Sequence, residues 1–209
     1  MKKTTPKKVA KKTSKKTAKK TAVKKVVAKK SVKKAAAKRP GTSLKRQSAA
    51  VIRSGIPQNG ETAPEFTLQD QNGKPVSLSD FKGMNVVIYF YPKAMTPGCT
   101  TQACSLRDSD FQLRDQEIKV IGISTDPVGR LKKFDEKEKL NFTLLSDPDH
   151  KVAEAYGCWG LKKFLGREYM GLLRQSFLLD KKGKILSVFH KVDTKTHHKD
   201  VLELFKSLG

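Results

Sequence analysis

The chain has 209 residues and a formal net charge of +24, with 44 Lys and Arg residues against 20 Asp and Glu residues. Its length suggests one or two folded units. No stretch approaches the roughly 20 apolar residues that a membrane-spanning helix needs, and no apolar signal-peptide region follows Met1. Three cysteines are too few for a disulfide framework. Composition therefore argues against a helical membrane protein and against a disulfide-stapled secreted domain.

The charge is concentrated at the N-terminal end. Residues 1–53 contain 21 of the 44 basic residues and no Asp or Glu, which leaves 23 bases against 20 acids in the rest. Residues 1–54 also lack aromatic side chains, so they cannot bury a core, and we predict a disordered basic tail and linker. Lys-Lys doublets begin at Lys2, Lys7, Lys11, Lys15, Lys19, Lys24, Lys29 and Lys33. On a helix the doublets would not stay on one side of the axis, so the tail would have no continuous apolar face with which to bind a membrane surface.

The sequence permits three interpretations of this tail. A Lys-rich arm suits the phosphates of DNA or RNA, because each neutralised phosphate releases counterions, and its composition resembles that of linker-histone-like tails. A transit peptide fits the absence of acids but not the dominance of Lys over Arg, and a charge run without a specific partner is the third. We expect cytoplasmic localisation, with nucleoid or nuclear association under the first interpretation. Candidate nucleic-acid contacts within residues 1–46 are Lys7, Lys8, Lys11, Lys12, Lys15, Lys16, Lys19 and Lys20.

From residue 55 onward the pattern predicts one folded domain, residues 55–209. Apolar and polar residues alternate on both sides of Gln71-Asn72-Gly73, which predicts a hairpin. A short helical turn is predicted next, over residues 78–83. A continuous apolar run over residues 86–91 predicts a strand buried on both faces. Further helices are predicted over residues 97–116, 126–139, 147–156 and 201–208, and further strands over residues 120–124, 142–145, 174–179 and 185–189. This order predicts an α/β three-layer sandwich.

Cys99 follows Pro97 and Gly98 in the first turn of the predicted 97–116 helix. Unpaired backbone N–H groups and the positive end of the helix dipole favour a thiolate there, so Cys99 is a candidate nucleophile. Gly98 would let a small substrate approach the backbone, and the Thr96 hydroxyl could bond the thiol or a bound oxygen. A cationic partner would stabilise the thiolate further, and Arg suits that role because it does not deprotonate.

Cys104 lies five residues after Cys99. On an intact helix this spacing separates the two Cα atoms by roughly 8.5 Å, beyond the roughly 7 Å that a disulfide tolerates. A Cys99–Cys104 disulfide would therefore require local unwinding of the helix. The spacing also differs from Cys-x-x-Cys, which disfavours general thiol–disulfide exchange and a zinc site. Cys158 is interpreted as a core residue, and His197 and His198 as a capping or exposed pair before the last helix.

The segment PKAMTPGCTTQACSLRD carries the strongest resemblance to a known family, together with GETAPEFTL, GISTD, NFTLLSDPDH and RQSFLLD. Over residues 55–209 the chain closely resembles peroxiredoxins of the bacterioferritin-comigratory-protein (BCP)/PrxQ type. The resemblance implies a thioredoxin-like fold with an added N-terminal hairpin. It also implies a monomer that uses no metal, haem or flavin. The basic tail lies outside the family pattern.

The resemblance also implies a reaction and its residues. Cys99 would attack the peroxide O–O bond and become a sulfenic acid, and Cys104 would resolve it as a disulfide that thioredoxin or a similar dithiol reduces. The family's Pro-x-x-x-Thr-x-x-Cys motif falls on Pro92, Thr96 and Cys99, and its active-site Arg falls on Arg174. Hydrogen peroxide or an organic hydroperoxide would bind at Thr96, Gly98, Cys99 and Arg174. The alternative is a histone-like nucleic-acid-binding protein with a redox-sensing domain.

Overall fold

The computed structural model describes residues 55–164 and 166–208. The predictions made for residues 1–54 lie outside the described residues. Within the described part, no helix combines the length and hydrophobicity that a bilayer crossing requires.

The described chain alternates strands and helices. The strands are β1 (Thr67–Asp70), β2 (Pro75–Ser77), β3 (Asn85–Phe90), β4 (Ile118–Ser124), β5 (Thr143–Ser146), β6 (Trp159–Phe164), β7 (Arg167–Leu172), β8 (Gln175–Leu179) and β9 (Ile185–Phe189). The helices are α1 (Pro97–Asp108), α2 (Asp110–Asp115), α3 (Val128–Glu138), α4 (Lys151–Ala155) and α5 (His197–Leu208), with a 3₁₀ turn at Leu78–Phe81.

Seven strands form one mixed sheet in the order β2-β1-β5-β4-β3-β8-β9. The central strands β3, β4 and β5 are parallel, and the outer strands pair antiparallel to their neighbours. Strands β6 and β7 form a separate antiparallel hairpin. This is the predicted thioredoxin-like α/β architecture, which the structure confirms.

Strand β3 carries the core on both of its faces. Successive side chains of a strand point to opposite faces of the sheet. Val87 and Tyr89 pack on one face among residues of α1, α3 and α5, whereas Ile88 and Phe90 pack on the other face with α4 and with the segment that precedes β1. All four side chains are fully buried. The continuous apolar run in the sequence is therefore the expected signature of a strand covered on both faces.

Gly122 in β4 makes room for Tyr89 of β3. A Cβ at Gly122 would lie 2.7 Å from the Tyr89 ring and 2.9 Å from Leu144, too close for any side chain. The Tyr89 ring also meets the His197 ring edge-on, with centroids 6.3 Å apart. The sheet thus positions one aromatic residue directly beneath the start of α5.

The observed elements differ from the predicted ones in several places, and α4 begins at Lys151 rather than at residue 147. The helix predicted over residues 97–116 is interrupted at Ser109, whose N–H bonds to Leu106 with i→i−3 geometry, so it forms two helices. Helix α5 begins at His197 rather than at residue 201, and β8 begins one residue after Arg174. The β6–β7 hairpin was not predicted. It exposes Leu161, Tyr169 and Met170, whereas Leu172 at its end is buried, so three of its apolar residues lie outside the core.

Candidate active site

Cys99 is the third residue of α1 and is only 2% exposed. Thr96 precedes the helix in an extended conformation and its carbonyl accepts the first helical hydrogen bond, from Thr100 at 2.8 Å. Pro97 occupies the first helical position, where its missing N–H costs nothing. The sequence Thr-Pro-Gly-Cys therefore starts the helix locally and buries the thiol in its first turn.

The loop before α1 is fixed by residues beyond β4. The Asp126 carboxylate accepts a hydrogen bond from the Ala94 backbone N–H at 2.6 Å and from the Ser124 hydroxyl at 3.1 Å. Arg130 pairs with Asp126 at 3.2 Å and donates to the Ala94 carbonyl at 3.0 Å. These bonds hold both backbone groups of Ala94, so the entry to α1 is anchored to the start of α3.

Arg174 provides the cationic partner of the thiol. One guanidinium nitrogen, Nη2, lies 3.2 Å from the Cys99 sulfur, and the other, Nη1, donates to the Gln102 side-chain oxygen. Because β8 runs antiparallel to β3 with Gln175 opposite Phe90, Arg174 lies at the carboxyl end of β3, where the chain turns toward α1. A Cβ at Gly98 would lie 3.5 Å from Nη2, so the guanidinium rests against the first turn of α1.

Gln102 connects this pair to α5. Its side chain is fully buried, and its amide nitrogen lies 3.2 Å from Nδ1 of His197. His197 is 1% exposed, so the prediction of an exposed or capping histidine is wrong for this residue. Burial lowers the pKa of His197 to about 4, with the positive charges of Arg174 and His198 contributing in the same direction. A neutral imidazole therefore faces the amide at physiological pH.

Cys104 lies on α1, two turns beyond the start of the helix, and is partly exposed. Its thiol donates to a carboxylate oxygen of Glu138 at 3.7 Å, and Arg107 donates to the Glu138 carbonyl. Burial raises the pKa of Cys104, the Arg107 charge opposes this, and the Glu138 carboxylate adds to it. Both Cys99 and Cys104 are free thiols, and α1 is continuous between them.

The other residues predicted for the site occupy its surroundings. Pro92 and Thr96 are partly buried on the loop between β3 and α1, and the Thr96 hydroxyl donates to the Lys93 carbonyl at 2.9 Å. The Thr96 hydroxyl hydrogen is therefore directed to this backbone carbonyl and not to the thiol in the reduced state, although its oxygen keeps acceptor capacity. Cys158 is fully buried and donates to Gln175 at 3.1 Å, which confirms its interpretation as a core residue.

Lys162 is a functional candidate that sequence reasoning missed. It lies on β6, donates to the Leu172 carbonyl at 2.9 Å, and is partly buried. Burial lowers the pKa of Lys162, and the charge of Arg174 lowers it further while Cys99 opposes the shift. No sequence signal marked Lys162, because the hairpin that brings it toward Arg174 was itself not predicted. Among residues 55–164 and 166–208, no three metal-ligating side chains cluster.

Comparison with known proteins bears on the fold and the reaction class. The AhpC/TSA family matches residues 59–188. The chain is 56% identical over 149 residues to the putative peroxiredoxin bcp of Haemophilus influenzae, covering 71% of this chain and 96% of that protein. It is 54% identical over 147 residues to peroxiredoxin Bcp of Escherichia coli, covering 70% and 94%.

Solved structures show the same similarity. Peroxidoxin BcpB from Mycobacterium tuberculosis superposes with a TM-score of 0.66 at 35% identity, covering 73% of this chain and 99% of that chain. The bacterioferritin comigratory protein of Xanthomonas campestris superposes with the same TM-score at 28% identity, covering 74% and 98%.

The family match spans the β3–α1 junction that holds Cys99, and the relatives align with the chain over nearly their whole length. The chain therefore belongs to the AhpC/TSA family and, within it, to the Bcp/PrxQ-type peroxiredoxins, oxidoreductases that reduce peroxides.

Proposed function

We propose that Cys99 is the thiol that reduces the peroxide and that Cys104 resolves it within the same chain. The observation that carries the proposal is the 3.2 Å contact between Arg174 Nη2 and the Cys99 sulfur at the start of α1. A guanidinium next to a sulfur favours the thiolate, which is the nucleophilic form of cysteine. The helix N-terminus acts in the same direction.

In the first step the Cys99 thiolate attacks one oxygen of the hydroperoxide and the O–O bond breaks. The sulfur is oxidised to sulfenic acid, and the other oxygen leaves as water or an alcohol after taking up a proton. Negative charge moves onto the leaving oxygen as the bond breaks. Arg174 is suited to stabilise it, because its fixed donors lie beside the sulfur and need little reorganisation.

The loop residues would shape the pocket for the peroxide. Gly98 adds no side chain beside Arg174, and Thr96 offers a hydroxyl oxygen at the helix start. Pro92 limits the backbone where β3 gives way to the loop. We propose that Thr96, Gly98, Cys99 and Arg174 bind the peroxide together.

In the second step the Cys104 thiol attacks the Cys99 sulfur, a disulfide forms and water leaves. The ideal helix separates the two Cα atoms by roughly 8.5 Å, so α1 must unwind between them. Breaking the contacts of Cys104 and Arg107 with Glu138 is part of this step. Thioredoxin or a similar dithiol would then reduce the disulfide.

Both hydrogen peroxide and organic hydroperoxides are proposed substrates. The Xanthomonas campestris relative has a described alkyl peroxide reduction activity, which supports the organic class. Resolution within one chain needs no residue from a second subunit, which is consistent with a monomer.

The peroxidase assignment predicts that Cys99→Ser abolishes peroxide consumption in the presence of thioredoxin, thioredoxin reductase and NADPH. A serine hydroxyl is far less nucleophilic at neutral pH than a thiolate. The matched control is Cys158→Ala, which removes a buried thiol outside the site and should keep the peroxidase activity. Full activity in Cys99→Ser would contradict the proposal.

The resolving role predicts a different phenotype for Cys104→Ser. The first reaction with peroxide should proceed at close to the normal rate, because Arg174 and the helix N-terminus are unchanged. Sulfenic acid on Cys99 should then accumulate, detectable by dimedone labelling and mass spectrometry, and thioredoxin-dependent turnover should be lost. Normal turnover in this variant would make Cys104 structural.

We further propose that residues 1–54 form a tail separate from the 55–209 domain and tether the enzyme to nucleic acid. The support is charge: 21 basic residues and no acid in residues 1–53, which suits the phosphate backbone. A tethered peroxidase would remove oxidant close to DNA. Cytoplasmic placement with nucleoid or nuclear association follows as part of the same proposal.

The tail proposal predicts salt-dependent binding of the full chain to duplex DNA that is lost when residues 1–46 are removed. Fluorescence anisotropy across a salt series should give a log–log slope of roughly −0.9 per phosphate engaged. Peroxidase activity of the shortened chain is the control, and it should be unchanged. DNA retention that survives the deletion, or that shows no salt dependence, would contradict a role for the tail.

A further inference from the structure

We propose that His197 is a positioning residue for peroxide reduction, holding the Gln102 amide in the one orientation that aims Arg174 at Cys99. This inference rests on the proposed roles of Cys99 and Arg174. His197 touches neither thiol nor peroxide, and it belongs to α5, a helix that the motif around Cys99 does not include. It would act through a chain of two hydrogen bonds, a buried one to Gln102 and a partly buried one from Arg174 to Gln102.

The donors and acceptors in this chain fix its direction. An Arg guanidinium only donates, so the Gln102 atom facing Arg174 must be the side-chain oxygen. The amide NH₂ then faces Nδ1 of His197 at 3.2 Å, and Nδ1 must accept. The imidazole is therefore neutral with its proton on Nε2. If the Gln102 amide were reversed, its NH₂ group would face the N–H groups of the guanidinium, and donors would oppose donors.

Burial makes the orientation matter. Gln102 is fully buried and His197 is 1% exposed, so bulk water cannot replace a lost partner. The imidazole packs edge-on against Tyr89 and Phe189, with ring centroids 6.3 and 6.2 Å away. Its backbone N–H donates to the Asp193 carbonyl at 3.0 Å, which fixes the start of α5. The lowered pKa of about 4 keeps the ring neutral at physiological pH.

The same chain of bonds is coupled to the redox state of the cysteines. Gln102 lies between Cys99 and Cys104 on α1, so unwinding of that segment displaces its amide. The Gln102–His197 bond should therefore exist in the reduced enzyme and break in the disulfide form. His197 would therefore hold Arg174 in place only while Cys99 is reduced and able to react with peroxide.

Two substitutions of equal polarity, His197→Asn and His197→Gln, test this role because they place the acceptor atom at different numbers of covalent bonds from Cβ. Asn places its side-chain oxygen as many bonds from Cβ as Nδ1 of His, whereas Gln places its oxygen at the level of Nε2. We expect His197→Asn to keep the rate of Cys99 oxidation by hydrogen peroxide within about threefold of wild type. His197→Gln and His197→Leu should lower it about tenfold, since small misplacements of a positioned group have effects of this size or larger.

In the Gln and Leu variants, the rate of Cys99 alkylation by iodoacetamide should fall less than the rate of Cys99 oxidation by peroxide. Alkylation breaks no O–O bond and therefore does not use Arg174 to stabilise one. In a Gln102→Leu background, His197→Leu should cause no further loss. His190→Leu, at an exposed histidine, should leave both rates unchanged, and circular dichroism should verify that each variant folds. Equal rates for His197→Asn and His197→Gln, or a further loss in the double variant, would overturn the proposal.

A measurement on the unmodified protein avoids any problem of folding. Long-range ¹H–¹⁵N correlation spectra of the reduced full chain should show His197 as the tautomer protonated on Nε2, with its nitrogen shifts changing when Cys99 and Cys104 form the disulfide. A tautomer protonated on Nδ1 in the reduced protein would overturn the proposal, because Nδ1 could not then accept from Gln102. Shifts that are identical in the two redox states would also overturn it.

Discussion

The contact between the Arg174 guanidinium and the Cys99 sulfur is the interaction on which the site depends. Arg174 is partly buried and the sulfur is almost fully buried, so the guanidinium needs partners that replace water. Cys99 and Gln102 supply two of them from consecutive turns of one helix. The start of α1 is thus both the location of the thiol proposed to react with peroxide and the acceptor surface for its cation.

The proposed disulfide between Cys99 and Cys104 places an opposing requirement on the same helix. α1 must be intact for Cys99 to sit at an N-terminus beside Arg174, and it must unwind for Cys104 to reach Cys99. Its 12 residues end at Asp108, and only Cys99, Gln102, Ala103 and Leu106 are buried. Short helices with few buried side chains open locally at a lower free energy than the core strands do. The Glu138 contacts with Cys104 and Arg107 set part of that free energy from outside the helix.

Local features of the site could be predicted from the sequence, and contacts between distant elements could not. The Thr-Pro-Gly-Cys segment specifies a helix start by its own backbone preferences, so the position of Cys99 followed from a few neighbouring residues. Arg174 came from the family resemblance, and the antiparallel pairing of β8 with β3 explains why it reaches the thiol. His197 and Lys162 depend on where α5 and the β6–β7 hairpin pack. Neither residue carries a local pattern that distinguishes it from an exposed one.

The most direct test of this account is the single-turnover rate of Cys99 oxidation by hydrogen peroxide in Arg174→Lys, followed by rapid quenching and mass spectrometry. Lys keeps the positive charge but loses the planar fork that bonds the sulfur and Gln102 at the same time. If the oriented fork stabilises the breaking O–O bond, the rate should fall by about two orders of magnitude, the scale seen when one preorganised donor is removed. A rate in Arg174→Lys equal to that of the wild type would show that charge alone suffices, and it would contradict the account.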